Sequence, residues 1–536
     1  MVLPLSPASM ELICRGPADE AEMLLTTVLA GGLDKESMGQ LAGDLFRVER
    51  YSLAQMLFAS WTEMEPTNPE PWSNLGLSLS RNGQLHEART VLEYVKEAAP
   101  DYAPALNNLC SVYQFLGEHA LQLSHAMKAA ELQPRSSLAL NNLGTALMEH
   151  GKLAEAKAAF EKSRAIDPGN FESGFNLARV ASDEGRNDEA LAFLEAALAS
   201  PASRSRRWRD MIEYHLSYEY LRIGRLVQGW EFYERGFAET ISPTIARTPN
   251  RKFTVPRWDG SRLAAGQRLL VWREQGIGDE LRFATMLLQM DAGDASVIIE
   301  TDRRLAPMLQ RSFPDFIVRA QAATRQGADP QRAGEYSHHL PIGSLPCLLM
   351  RDRSLFGSLG GYLKPLPAEV DRFASRLVPF AGKRLVGICW RSHKLSATRN
   401  RKYTALHEWG PVLSRPDTVF VNLQYGDCEQ ELVDIEGALG IRVLRWPDVD
   451  LKEDLEAVLG ILHHLDMVIT PSTAVLGFAG AMGTPTVYLG HQNWLMLGET
   501  EVYPWYASVR PLLVEPTLPV SSLIPEARRV MDQLLS

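Results

Sequence analysis

The sequence predicts an α plus α/β chain: an all-α repeat solenoid followed by a pair of α/β domains built on parallel sheets. Three observations predict it. Asn74, Asn108, Asn142 and Asn176 stand 34 residues apart, and Pro66, Pro100, Pro134 and Pro168 keep the same interval. Past Phe237 that period stops, and short apolar runs alternate with helical segments, the mark of parallel α/β layers. At 536 residues the chain also exceeds what one hydrophobic core can serve, so several domains are required.

Each interval of the first half carries one pattern. Around Trp72 it reads Leu75, Gly76, Leu79, Gly83, Ala88, Leu92 and Pro100. The next copy has Leu106, Leu109, Tyr113, Gly117 and Pro134, with Gln122 and Ala126 in place of the small and large pair. A third has Leu140, Gly144, Leu147, Gly151, Ala156, Phe160 and Pro168, and a fourth Leu177, Ala178, Gly185, Ala190 and Leu194. A weaker copy precedes them (Leu41, Leu45, Ala54, Phe58) and a degenerate one follows (Leu216, Tyr220, Gly224, Tyr233). The pattern resembles the tetratricopeptide repeat (TPR), which implies antiparallel helix pairs stacked around a concave groove. Five to six repeats over 35–240 are expected, behind a helical cap at 1–34.

The four asparagines sit just before the Leu-Gly position of each first helix. Asparagine is a mediocre helix former, so its recurrence needs a reason. A primary amide both donates and accepts, so a row of them can bracket successive peptide units of an extended polypeptide. The O-linked N-acetylglucosamine transferases, which the array resembles here, carry a similar ladder in that role. The other reading is structural: the amides bond neighbouring helices.

The second half begins after a stretch rich in Pro, Thr and Arg, 241–260, read as a linker. Strands are expected at 268–274, 297–300, 316–319 and 338–342, then at 384–391, 419–424, 441–444, 467–470 and 486–490. Helices are expected at 279–290, 453–465 and 473–482, and a last one at about 524–535. Within this order stand EQGIGDELRF (274–283), HLPIGSLP (339–346), VGICWR (386–391), LDMVITPSTAV (465–475) and FAGAMGTPTV (478–487). Together they resemble bacterial repeat-bearing glycosyltransferases related to the lipopolysaccharide heptosyltransferases (family 9), and among these the TPR-bearing flagellin glycosyltransferases. The resemblance implies a GT-B-like pair of Rossmann-like domains, 261–375 on the acceptor side and 376–512 on the nucleotide-sugar side, with a helix at 513–536. It implies direct inverting, metal-independent transfer of a sugar to Ser or Thr of a polypeptide held by the repeats.

Residue by residue, the resemblance makes Asp279 the general base. Glu274, Glu280 and His339 are alternatives, and helix capping is the structural reading of Asp279. Gly276 and Gly278 let the backbone turn and approach a ligand. Ser472 and Thr473, at a helix start after a strand, suit the departing phosphate. Arg391 or Lys394 would neutralise its charge, with Arg399 and Arg401 next in line. Heptosyltransferase-like proteins often carry Asp-Thr with a histidine four residues beyond the threonine. Here Ser472-Thr473 is followed by Gly477, which fits either a changed donor or lost activity; the intact Gly276–Asp279 motif favours a changed donor, a CMP-linked nonulosonic acid among those admitted. Aromatics concentrated at 494–506 serve either stacking on a ligand or domain packing.

Composition bounds the partners. A net charge of −10 argues against a general binder of nucleic acid or anionic membrane. The five cysteines (Cys14, Cys110, Cys347, Cys389, Cys428) form no Cys-x-x-Cys, so neither a disulfide framework nor a zinc site is expected. No cofactor is expected beyond the nucleotide sugar. With no signal peptide or membrane span legible, a cytoplasmic protein is expected, acting on flagellin if the resemblance extends to the acceptor. Two other functions stay open: a non-catalytic adaptor or chaperone with a decayed second half, and a lipopolysaccharide glycosyltransferase.

Overall fold

A computed structural model describes residues 6–169, 171–200, 205–241, 245–321, 335–392 and 402–536. The chain divides into two compact units, Met1–Val180 and Ala181–Ser536.

The first unit is helical throughout. Two helices, Pro7–Arg15 and Ala18–Ala30, precede the pairs Lys35–Arg47 with Tyr51–Met64, Pro69–Arg81 with Leu85–Ala98, Ala103–Leu116 with His119–Leu132, and Ser137–Glu149 with Leu153–Ile166. Local chemistry sets the starts. Asp34, Asn68 and Ser136 each accept a backbone N–H from the first turn of the helix they precede. Gly83, Gly117 and Gly151 make the turn inside successive pairs in the left-handed region (φ 83°, 74° and 74°), where only glycine is unstrained. The small residues at the crossings are as close as the pattern requires. A Cβ on Gly76 would lie 2.5 Å from Leu92 Cγ, and one on Gly144 2.5 Å from Phe160 Cε1.

The asparagine ladder runs backward between repeats. Asn108 Nδ2 donates to Ser73 O and Oγ at 3.2 and 3.1 Å, Asn142 Nδ2 to Asn107 Oδ1 at 3.0 Å, and Asn176 Nδ2 to Asn141 Oδ1 at 3.0 Å. Each of these three amides therefore clamps the repeat before it. Asn176 Oδ1 in turn accepts from Arg179 at 3.4 Å. Asn142→Ala is expected to cost about 1–2 kcal/mol, since the buried Asn107 loses its partner. Denaturant unfolding of the full chain checks this, and an unchanged midpoint would show that the ladder clamps nothing.

In the second unit the helices Asn187–Ala199, Arg206–Arg222 and Leu226–Tyr233 lead into two parallel sheets. The first holds β1 (Arg268–Trp272), β2 (Ser296–Thr301), β3 (Ile317–Ala320) and β4 (His338–Pro341) in the order β3-β2-β1-β4. The second holds β5 (Arg384–Ile388), β6 (Thr418–Asn422), β7 (Val443–Leu444), β8 (Met467–Pro471), β9 (Thr486–His491) and β10 (Val509–Val514) in the order β10-β9-β8-β5-β6-β7. Helices cover both faces, so central strands such as β8 are buried along their whole length and read as unbroken apolar runs.

Three features differ from the sequence expectation. β10 was not expected because Arg510 and Pro511 interrupt its apolar pattern, yet it is an edge strand, where a missing N–H is tolerated. The helix expected over 279–290 is α-helical only at Ile277–Ala284 and tightens to a 3-10 helix at Thr285–Gln289. The last helix, Ile524–Leu534, lies where it was expected and shares a core with Val487 and Leu489 of the second sheet. Finally, 245–260 is no free linker: Arg247, Arg251 and Trp258 are buried, and Arg257 bridges in parallel to His339 of β4. Among the described residues no helix is long and apolar enough to cross a membrane.

Candidate functional site

Each sheet reverses its order once, between β1 and β4 and between β5 and β8. A parallel sheet opens a crevice beyond its carboxyl ends at such a reversal. Here the two crevices meet. The turn after β1 starts the helix Ile277–Ala284, and the turn after β8 starts the helix Ala474–Met482. A Cβ on Gly278 would stand 3.6 Å from Ala474 Cα, and one on Gly477 3.5 Å from Gly278 O. A methyl just fits; anything larger would push the helices apart. Two helix N-termini, each with unsatisfied N–H groups, thus converge on one place.

The tight turn before the first of these helices falls on Gln275 (φ 59°), not on either glycine, and its N–H donates to Thr248 O at 2.6 Å. Gly276 is extended and open, and lines a cavity of about 290 Å³ with Arg273, Asp302, Arg304, Tyr425 and Ala474. Asp279 is half-buried, and its Oδ1 accepts from Arg282 Nη1 at 2.6 Å. The buried Arg282 also points Nε at the Tyr503 hydroxyl, 3.4 Å away. Sequence reading missed Arg282, although its place three residues after Asp279 on one helix is the signal that finds it.

On the other side Thr473 caps its own helix: its Oγ1 accepts from Val475 N at 3.2 Å and meets Thr470 Oγ1 at 3.2 Å. That leaves Ser472 to face open space. It lines a second cavity, about 230 Å³, with Arg222, Lys402, Tyr488 and Asn493. Arg391 does stand at the β5 end but forks onto Glu431, with Nε 3.1 Å and Nη2 2.5 Å from Oε2. Lys394, Arg399 and Arg401 lie outside the described residues.

The alternative bases are placed elsewhere. Glu274 is fully buried against Arg247. His339 sits mid-strand beside Leu270, stacked on Phe253 at 3.7 Å. Of the aromatics of 494–506, Trp505 packs on Trp230 and Phe283, whereas Trp494 lies on Tyr218 and Tyr233 and also lines the cavity beside Ser472.

Glu280 is buried under the same turn, accepts from Thr301 and from Asp302 N (3.0 Å), and faces Arg273 Nε at 3.0 Å. Burial dominates those favourable contacts and pushes its carboxyl up to about 7. The folded state then holds this proton more tightly than the unfolded chain. The contribution to stability is full below about 4.5 and falls as pH rises toward 7. Thermal melts of Glu280→Gln should lose part of the decline that the parent shows across this window; an identical pH profile would contradict the assignment.

Two stretches, 57–90 and 147–212, match tetratricopeptide repeat family models. The chain is 33% identical over 453 residues to Protein FlbA of Caulobacter vibrioides, covering 82% of this chain and 75% of FlbA. It is 28% identical over 120 residues to the BBSome complex member bbs-4 of Caenorhabditis elegans, covering 22% of this chain and 26% of that one. Among solved structures, a thermophilic TPR protein of Thermus thermophilus aligns with 34% of this chain and 99% of its own at 22% identity and a TM-score of 0.32.

Proposed function

This chain belongs to the family of the Caulobacter vibrioides protein FlbA, and on the geometry above we propose that its α/β half is a GT-B-like glycosyltransferase. It moves a sugar from a nucleotide-sugar donor to a Ser or Thr hydroxyl of a polypeptide held by the repeats. The observation that carries this reading is the convergence of the Gly276–Asp279 turn with the Ser472–Ala474 helix start beside two cavities. In this reading Asp279, on the first of the two helices, supplies the carboxylate, and the start of the second supplies N–H groups for the departing phosphate.

In the step, the acceptor oxygen attacks the anomeric carbon as the bond from that carbon to the phosphate oxygen breaks. Asp279 takes the hydroxyl proton, with Arg282 fixing its orientation. The electron pair leaves on the phosphate oxygen, met by the N–H groups at Ala474 and the Ser472 hydroxyl. Flagellin is the acceptor and a nonulosonic acid the sugar that the sequence resemblance favours.

One observation favours the adaptor reading instead: Arg391, expected to meet the phosphate, is held by Glu431. A thermal-shift panel of nucleotides and nucleotide sugars on the full chain separates the two. Transfer requires at least one compound to raise the melting temperature, by about 2.7 kcal/mol of stabilisation at a hundredfold excess over Kd. A flat panel supports the adaptor.

A further inference from the structure

The stretch after the last helix pair carries a buried ion pair that neither the base nor the phosphate site uses. Arg247 has no exposed side-chain surface, and neither has Glu274, at the end of β1 and directly before the Gln275–Asp279 turn. The guanidinium forks onto this carboxylate, Nε to Oε2 at 2.7 Å and Nη2 to Oε1. It also donates to Glu234 Oε1 at 3.0 Å and Ser344 Oγ at 2.9 Å. Above and below it lie the rings of Tyr233 and Phe237, 4.3 and 4.2 Å from Cζ. Tyr233, Glu234 and Phe237 all close the last helix pair.

Both ends of the pair are built to fit. Glu274 Oε1 accepts the Gly343 N–H at 2.8 Å, tying the β1 end to the β4 end across the sheet reversal. A Cβ on Gly343 would fall 2.3 Å from that oxygen, and one on Gly236 2.8 Å from Arg247 Cγ and Cδ. The next residue along from Arg247, Thr248, accepts the Gln275 N–H. A buried ion pair contributes little net stability compared with apolar residues of the same shape, because both ions lose their hydration. What a planar fork does supply is orientation.

We infer that Arg247 is a positioning residue: clamped between rings of the last repeat, it holds Glu274 and thereby the turn that presents Gly276 and Asp279. The idea that this matters for transfer rests on the function proposed above. The clamp makes the last repeat part of the frame of the site.

The test uses the full chain with Arg247→Lys, which keeps the charge but loses the fork, and the double variant Arg247→Met/Glu274→Met, which removes both charges. Hydrogen exchange at the amides of Gln275, Asp279 and Glu280 is read beside that of β8, together with kcat and KM for a CMP-linked nonulosonic acid as donor. Positioning predicts at least tenfold faster exchange at the three turn amides and an unchanged β8 in both variants. It also predicts a kcat at least tenfold lower with KM for the donor little changed. The double variant leaves the Gly343 N–H without its acceptor and so should melt below the parent, yet still fold and show the loose turn, and it carries the test if Arg247→Lys fails to fold. Parent-like exchange at the turn in the double variant overturns the inference, whatever the activity. A loosened turn in a chain whose parent transfers no sugar supports the positioning and contradicts the transferase reading.

Discussion

Asp279→Asn is expected to slow sugar transfer by roughly 10²–10⁴-fold, the range of a positioned general base. The amide is isosteric and can still accept from Arg282, so the helix and the cavity walls stay in place. Donor affinity should therefore be retained, and the loss should fall on kcat. Arg282→Lys is expected to give a smaller loss, because the charge survives while the second contact, to Tyr503, does not. A transfer assay with nucleotide affinity measured on the same preparations decides the matter. Full activity in Asp279→Asn removes this residue as the base.

The second large effect is on stability. The segment around Gly361 passes backbone to backbone over the end of the helix Ala474–Met482. Tyr362 N and Leu363 N both donate to Ala481 O, at 2.7 and 2.8 Å, and the Tyr362 hydroxyl donates to Leu281 O at 2.6 Å. One short segment thus ties together the two helices whose starts form the site. A Cβ on Gly361 would lie 2.5 Å from Gly483 N and 2.6 Å from Met482 C, backbone atoms that cannot rotate away. Gly361→Ala should cost roughly 2–4 kcal/mol and melt several degrees lower. Its neighbour supplies the control, since a Cβ on Gly360 meets nothing within 4 Å. Equal melting of the Gly360→Ala and Gly361→Ala variants would contradict the packing described.

The repeats were legible because each copy restates the same local rules: a cap, a small residue at a crossing, a left-handed glycine and a proline exit. The two sheets were legible because strands buried on both faces are continuous apolar runs. The site was only partly so. The Ile-Gly-Asp turn and the Ser-Thr helix start announce themselves, but their meeting across about 195 residues of chain is a tertiary fact. Arg391 read as a free cation because Glu431, which holds it, lies 40 residues away. Arg247 was hidden differently, in a stretch whose prolines and threonines look like a tether. The asparagine ladder was read in its right place, but its period alone does not say whether an amide turns toward a ligand or a neighbouring repeat. The structure gives one donor of each of three amides to the repeat before.

The claim that this chain glycosylates a protein is tested most directly by the intact mass of flagellin from cells carrying the parent gene, lacking it, or carrying the Asp279→Asn form. A mass lower by whole sugar units is expected in the second and third, with the size of the unit reporting the sugar's class. Identical masses in all three would contradict it.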